Sequence, residues 1–225
     1  MTTQRLPLFP LGTVLTPGMP LSLHVFEPRY RQLVADLLDD QDPQAPEFGV
    51  VALRQGWEVG ALGDVHPVGT SARVTDVLPL PDGRCDLSAV GERRFRIEEL
   101  HPDDRPYLMA TVTWLPEPLG SVSSASVEAT KRAISRHDQA LRALNVEYEQ
   151  PGLEPSTEDP QLVSYQVARL ASLPLVDRQR LLGEPDTAAR LTAARAVLRR
   201  ETELILQLRA IPVSAASFHT GPATS

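Results

Sequence analysis

Cysteine and lysine are almost missing from this chain of 225 residues. Cys85 is the only cysteine, so no internal disulfide can form, and a reducing cytoplasm is the expected compartment. No apolar run approaches the about 20 residues that a membrane-spanning helix requires. No charged, apolar and small-residue sequence typical of a secretory leader precedes Gln4.

Enzyme motifs are also missing. Lys131 is the only lysine and has no glycine near it, which excludes a phosphate-binding Gly-Lys-Ser/Thr loop and ATP hydrolysis by that mechanism. Ser135 could share a helix face with Lys131, but an exposed lysine is a poor base for a serine nucleophile. Cys85 lies in a predicted strand with no histidine nearby in sequence. We therefore predict no enzymatic activity, no catalytic residues and no cofactor.

The histidines and charges exclude further classes of site. The five histidines are dispersed and lack the companions of a zinc motif, so we predict no metal site: His24, His66, His101, His137 and His219. The net charge is −7, and it arises in residues 1–118, with 10 basic against 17 acidic residues, while residues 119–225 carry 12 of each. An acidic first half argues against nucleic acid and acidic membrane surfaces as partners.

The first thirty residues combine prolines with leucines in an unusual way. Proline lacks a backbone N–H, so this pattern predicts two short strands joined by the turn at Pro17-Gly18, with one edge left unpaired. Alternation puts Leu21, Leu23 and Val25 on one face of the second strand. Pro28 then begins a helix that reaches about Leu38.

The remainder of residues 1–118 predicts further short strands, giving about six to seven in all with one helix. Ala72, Val74 and Val77 should face inward. The predicted strands begin near Phe48, Gly69, Cys85, Phe95 and Tyr107. Such a pattern is typical of a curled, mostly antiparallel sheet or small barrel in an α+β protein.

The second half is predicted to be helical, after a boundary near Pro118. Helices are expected over 123–149, from Pro160 to about Ser172 with an Asp159 cap, over 174–182, and after Asp186. In the last helix a seven-residue spacing of apolar side chains indicates a packing surface or a coiled coil: Leu191, Leu198 and Ile205. We predict a domain over 1–118, a helical subdomain over 119–210 and a disordered tail over 211–225.

Several motifs in this order resemble the amino-terminal substrate-binding domain of Lon proteases. They are Pro-Leu-Phe-Pro-Leu-Gly-Thr-Val-Leu (7–15), Pro-Gly-Met-Pro-Leu (17–21), Phe-Glu-Pro-Arg-Tyr-Arg (26–31), Phe-Gly-Val-Val (48–51), Leu-Pro-Asp-Gly-Arg (80–84) and Val-Gly-Glu-Arg-Arg-Phe (90–95). The resemblance implies a PUA-like β-pseudobarrel followed by a C-terminal helical bundle. It also implies a stand-alone bacterial member without ATPase or peptidase domains, which binds unfolded or flexible polypeptides in protein quality control.

Candidate peptide-binding residues follow from that resemblance and from the strand-to-helix corner. At the corner, Glu27 could cap the helix and Arg29 could pair with a carboxylate such as Glu92, or Arg29 and Tyr30 could border a peptide groove. Apolar side chains near predicted edges or loops could be exposed for peptide or buried in the core. The candidate set is Met19, Leu21, Arg29, Tyr30, Trp57 and Val59.

Two other functions are alternatives. One is an adaptor or regulator that docks on a dedicated protein partner through the helical half, where Arg195, Arg199 and Arg200 are expected on the solvent side of the last helix. The other is an RNA-modification accessory, an analogy with the barrel fold that the acidic first half weakens.

Overall fold

Two strands and a helix form the start of the chain, as the proline spacing predicts, but the unpaired edge expected for these strands is found only in the second one among the described residues, because the first pairs with strands on both sides. The computed structural model describes residues 3–39, 46–54, 64–144, 158–170 and 172–208. Strand β1 (Thr3–Leu11) and strand β2 (Pro20–Val25) precede helix α1 (Pro28–Asp39). Gly18 has a φ of 72° in the turn before β2, where the Met19 N–H donates to the Thr16 carbonyl at 3.0 Å. A left-handed φ favours glycine, which explains the Pro-Gly pair.

A mixed sheet of six strands occupies the described part of residues 1–117. The later strands are β3 (Glu47–Ala52), β4 (Val68–Pro79), β5 (Cys85–His101) and β6 (Met109–Trp114). The strand order is β2-β5-β4-β3-β1-β6, and β5 also pairs with β6. Strands β5, β4, β3, β1 and β6 therefore form a closed ring, with β2 added outside it on β5. Only the β1–β3 pair is parallel in this sheet.

The prediction of separate strands beginning at Cys85 and Phe95 is wrong. Both segments belong to the single strand β5, which has 17 residues. Gly91 lies at its middle, and a glycine inside a strand commonly marks a bend or a close backbone approach rather than an end. Residues 85–90 of β5 pair with β2, while residues from Phe95 onward pair with β6. The single strand thus pairs with β4 along one edge and with β2 and then β6 along the other, and six strands are described instead of about seven.

The core of this unit consists of two clusters of buried side chains. In the larger one, the Phe9 and Tyr30 rings stack with centroids 4.0 Å apart, and the α1 residues Leu33 and Val34 are buried beside them. Ala72 and Val74 are buried and Val77 is partly buried against this cluster, so their predicted inward orientation is confirmed. The second cluster includes Leu6, Leu8, Val51, Phe95 and Val112.

Four helices form the described part of residues 118–225, a second compact unit. They are α2 (Ser124–Arg142), α3 (Pro160–Ala168), α4 (Leu175–Gly183) and α5 (Thr187–Leu208). The predicted caps are confirmed, since the Asp159 carboxylate accepts from the Gln161 N–H and that of Asp186 accepts from the Ala189 N–H, at 2.8 and 2.7 Å. Helix α3 ends four residues before the predicted Ser172. The end of the predicted 123–149 helix and the 211–225 tail lie outside the described residues.

Helix α5 packs through its seven-residue stripe. Leu191, Leu198 and Ile205 are all buried, which fits packing against neighbouring helices. Of the arginines expected on the solvent side of this helix, Arg199 and Arg200 are exposed, while Arg195 is partly buried and its guanidinium donates to the Ser126 carbonyl and the Thr130 Oγ1, both at 3.1 Å.

Candidate functional site: an unpaired strand edge

Strand β2 is the candidate site because one of its edges has no partner strand in the described part of the chain. It lies at the end of the strand order and pairs only with β5, from Pro20↔Val90 to Val25↔Cys85. An edge strand presents a row of N–H and C=O groups that another extended chain can pair with.

The backbone groups that face this edge follow from the antiparallel alternation. The Gly91 N–H donates to the Met19 carbonyl at 2.9 Å, so the hydrogen-bonded pairs continue at Leu21 and Leu23. The intervening residues Ser22 and His24 therefore direct their N–H and C=O groups away from β5. Pro20 contributes only a carbonyl, as is usual for proline on an edge strand.

The inward side of β2 is apolar. Met19, Leu21 and Leu23 are partly buried and pack against the larger core cluster. Their position at the margin of that cluster leaves apolar surface next to the free edge. An extended peptide on this edge would direct alternate side chains towards that surface.

The outward side of β2 is polar and aromatic. His24 Nδ1 lies 2.6 Å from the Asp86 carboxylate, and its Nε2 lies 3.2 Å from the Arg84 guanidinium. Arg84 also binds Asp82, and these hydrogen bonds lower the pKa of the Asp82 carboxyl to about 2. Phe26, directly after the strand, is 59% exposed and lies against the His24 ring with centroids 6.3 Å apart. This side offers an exposed aromatic ring beside a fixed charge cluster.

At the strand-to-helix corner Arg29 pairs with a carboxylate, as one of the two predictions has it, but with a different partner from the one suggested. Arg29 pairs with the Glu27 carboxylate at 2.8 Å, and Glu92 pairs with Arg73 at 2.6 Å, so the predicted Arg29–Glu92 pair is wrong. The backbone carbonyl of Glu27 accepts from the N–H groups of Tyr30 and Arg31, both at 3.0 Å. Arg29 thus pairs with the carboxylate two residues before it in the chain. Glu92 pairs instead with an arginine of the neighbouring strand β4.

Tyr30 lies inside the protein. Its side chain is 7% exposed, and burial raises the pKa of its phenol. The Arg29 guanidinium covers the ring at 4.6 Å from its centroid. The structure thus brings Met19 and Leu21 to the free edge and Arg29 to the adjoining corner, but it places Tyr30 in the core. Trp57 and Val59 lie outside the described residues.

Sequence reasoning missed Ser22, His24 and Phe26 as members of this edge. Strand alternation could have identified Ser22 and His24 as outward residues, opposite to Leu21 and Leu23. No sequence signal identified the exposure of Phe26, since large apolar residues are usually buried.

The residues considered for catalysis make other contacts. Lys131 Nζ lies 3.3 Å from the Glu128 carboxylate, and the Ser135 hydroxyl donates to the Lys131 backbone carbonyl at 3.1 Å. Burial raises the pKa of the Cys85 thiol, which disfavours a thiolate nucleophile. Within the described ranges, no three His, Cys, Asp or Glu side chains are grouped as metal ligands. None of the described helices is long and apolar enough to span a membrane.

Comparisons with known proteins identify the family of this fold. Residues 5–200 match the family model of the ATP-dependent protease La (LON) substrate-binding domain. The chain is 29% identical over 200 residues to Lon protease 1 of Herpetosiphon aurantiacus and 29% identical over 205 residues to Lon protease 1 of Thermus thermophilus. These alignments cover 87% and 88% of this chain, but only 24% and 25% of the relatives. The chain thus spans about a quarter of their length.

Solved structures agree with that match. The crystal structure of a Lon N-terminal domain protein from Xanthomonas campestris superposes with a TM-score of 0.59 at 27% identity, covering 86% of this chain and 98% of that one. The N-terminal domain of a Mycobacterium avium complex Lon protease gives a TM-score of 0.64 at 17% identity, covering 87% and 98%, and shows a likeness of fold alone. With residues 5–200 matched, the chain belongs to the family of Lon substrate-binding domains.

Proposed function

We propose that this chain is a non-enzymatic module that binds unfolded or flexible polypeptide, and that the bound segment adds to the sheet as a strand beside β2. The observation that carries the proposal is the edge of β2 that has no partner strand among the described residues, where Ser22 and His24 direct backbone groups away from β5. The family supports binding of a polypeptide substrate. Strand addition suits unfolded segments because backbone hydrogen bonds do not depend on sequence.

The affinity expected for this mode is modest. Four outward groups on two residues give about 2–6 kcal/mol at roughly 0.5–1.5 kcal/mol for each net hydrogen bond. Ordering the peptide and losing its free motion opposes this by several kcal/mol. The net favourable free energy of binding must therefore come from apolar contact with Met19 and Leu21 on one side of the peptide and with Phe26 on the other. We therefore expect weak binding that favours segments with apolar residues on both sides of an extended chain.

The test compares Ser22→Pro with the matched control Ser22→Ala. Proline removes the outward N–H and blocks pairing beside it, whereas alanine keeps the backbone and removes only the hydroxyl. Fluorescence anisotropy with a labelled eight-residue peptide of alternating valine and threonine should show binding by wild type and Ser22→Ala, and at least about tenfold weaker binding by Ser22→Pro. Equal binding by both variants would contradict strand addition.

A second measurement leaves the protein unchanged. Two versions of the peptide carry N-methyl groups on alternate residues, in one or the other register. In a strand pairing along a single edge, only one of the two N-methylated sets faces β2. We expect one version to lose binding and the other to keep it. Loss or retention by both would exclude an ordered added strand.

The wider setting of the module is part of the proposal. We propose that residues 1–118 form a PUA-like domain and residues 119–210 a helical bundle, with a function in protein quality control in the cytoplasm. We also propose that neither nucleic acid nor membrane is the partner, which the excess of acidic residues in the first half supports.

An adaptor function is the second candidate. Val176 and Leu206, on the helical unit, are 65% and 53% exposed and are therefore available to contact a protein partner. Native pull-downs with wild type and a Val176→Ser/Leu206→Ser variant would test it. A stoichiometric partner lost in the variant would favour the adaptor, and no such partner would count against it.

A further inference from the structure

The groove between α2 and α5 concentrates arginines in the helical unit. It has a volume of about 500 Å³. Its charged lining is Arg132 and Arg136 from α2, Arg195 and Arg199 from α5, and Glu203. Four guanidinium groups thus share one groove with one carboxylate, although residues 119–225 carry 12 residues of each sign.

The arginines of the groove differ from others on the same unit. Arg142 pairs with Asp138 at 2.8 Å, and Arg200 pairs with Asp177 at 2.6 Å. No ion pair joins Arg132, Arg136 or Arg199 to a carboxylate within the described residues. Like charges four residues apart on a helix repel one another, and each row of the groove contains such a pair. An anion in the groove would relieve this repulsion.

Arg195 is already held in place for such a ligand. Its guanidinium donates to three neutral oxygens, the Ser126 carbonyl and the hydroxyls of Thr130 and Thr192, at 3.1 to 3.2 Å. These contacts fix its orientation but leave its charge without a bound carboxylate. A preorganised guanidinium loses less freedom when it binds a carboxylate.

The spacing of the arginines fits an extended acidic peptide. Four residues of a helix rise about 6 Å, which separates Arg132 from Arg136 and Arg195 from Arg199 along their axes. Every second residue of an extended peptide is separated by about 6.6 Å, and successive side chains point to opposite sides. Four consecutive acidic residues could therefore present two carboxylates to each arginine row. Ala133, Ala196 and Leu198 complete the lining with small or apolar side chains.

We propose that this groove binds a short acidic segment of a polypeptide in extended conformation. The segment contains about four consecutive aspartate or glutamate residues, each accepting hydrogen bonds from a guanidinium. The site lies on the second unit and does not depend on the free edge of β2. A chain with both sites would favour unfolded polypeptides that contain an acidic run as well as an apolar stretch.

The test uses the full chain, a labelled peptide with four central glutamates and the same peptide with glutamines. At 50 mM salt the glutamate peptide should bind and the glutamine peptide should not, and binding should weaken as salt is raised. An Arg136→Gln/Arg199→Gln variant should lose about fivefold or more in affinity, since each exposed charge pair contributes modestly. Neither side chain holds the fold through an ion pair in the described residues.

The matched control removes the same charge elsewhere on the unit. Arg142→Gln/Arg180→Gln changes two exposed arginines outside the groove, so it should alter affinity less than twofold. Equal losses for the two double variants would overturn the proposal in favour of nonspecific charge. Tighter binding of inorganic phosphate or of a single-stranded oligonucleotide at the same arginines would overturn the peptide assignment. Ser22→Pro should leave glutamate-peptide binding unchanged, which separates this site from the β2 edge.

Discussion

Gly91→Ala should be among the most damaging substitutions in strand β5, where Gly91 is buried. A Cβ at this position would lie 2.3 Å from the Thr16 carbonyl oxygen and 3.1 Å from its carbon. An ordinary C···O contact is about 3.3 Å or longer, so the backbone must separate by about 1 Å. That movement breaks two hydrogen bonds, from the Gly18 N–H to the Gly91 carbonyl at 2.8 Å and from the Gly91 N–H to the Met19 carbonyl at 2.9 Å.

The cost can be worked out from these contacts. Two backbone hydrogen bonds contribute about 1 kcal/mol each, and overpacking adds about 1–3 kcal/mol. We expect a loss of about 3–5 kcal/mol in the free energy of unfolding, measured by urea denaturation. Met19 begins the β2 edge, so binding of the valine-threonine peptide should weaken as well.

Gly12→Ala is the matched control, because a Cβ there meets no atom within 4 Å. It should change the free energy of unfolding by less than about 1 kcal/mol, as expected for a glycine replaced without strain. If Gly91→Ala costs no more than Gly12→Ala, the backbones of Gly91 and Thr16 are not in close contact, which would refute the prediction.

Three other predictions concern buried polar groups. Glu117→Gln removes the carboxylate that pairs with Arg94, whose side chain is 1% exposed. The free energy of unfolding in urea should fall by about 2–4 kcal/mol, and a loss below about 1 kcal/mol would refute this. Tyr107→Phe removes the hydroxyl that donates to Asp36 at 2.6 Å, so the pKa of Asp36 should rise in an NMR titration, and an unchanged pKa would contradict that contact. Burial lowers the pKa of His137 from 6.5, so as the pH falls this histidine takes up a proton in the unfolded chain before it does so in the folded one. The free energy of unfolding should therefore fall as the pH drops below about 6.5. His137→Gln should weaken this pH dependence, and an unchanged slope would refute the prediction.

Local chemistry explains which elements the sequence could predict. Asp159 with Pro160, and Asp186, fix helix starts through contacts within three residues, so their effect does not depend on the rest of the fold. The alternation of Leu21 and Leu23 likewise depends only on strand geometry. The sequence predicts separate strands on the two sides of Gly91, because a glycine can end a strand as well as continue it. Only the pairing of residues from Phe95 onward with β6 shows that β5 continues.

Long-range register explains what the sequence could not predict. Arg29 had several possible carboxylates, and Glu92 is taken by Arg73, which is opposite Val90 in the sheet and reaches Glu92 diagonally across the two strands. The arginine groove was hidden for a similar reason. Arg132 and Arg199 are far apart in sequence, and the equal numbers of acidic and basic residues in the second half give no sign that they share one groove.

An edge that accepts other chains must also avoid pairing with its own copies. Strand β2 has six residues, and Pro20 has no N–H to donate, so two copies could pair only over a short stretch. A charge cluster also lies on the solvent-facing side of β2, formed by His24, Asp86 and Arg84. Two copies that paired through this edge would both have to remove water from their clusters. A single flexible peptide that pairs with Ser22 and His24 brings no second charge cluster to this edge. The short length of β2 and its charge cluster therefore disfavour pairing between two copies more than they disfavour binding of one unfolded chain.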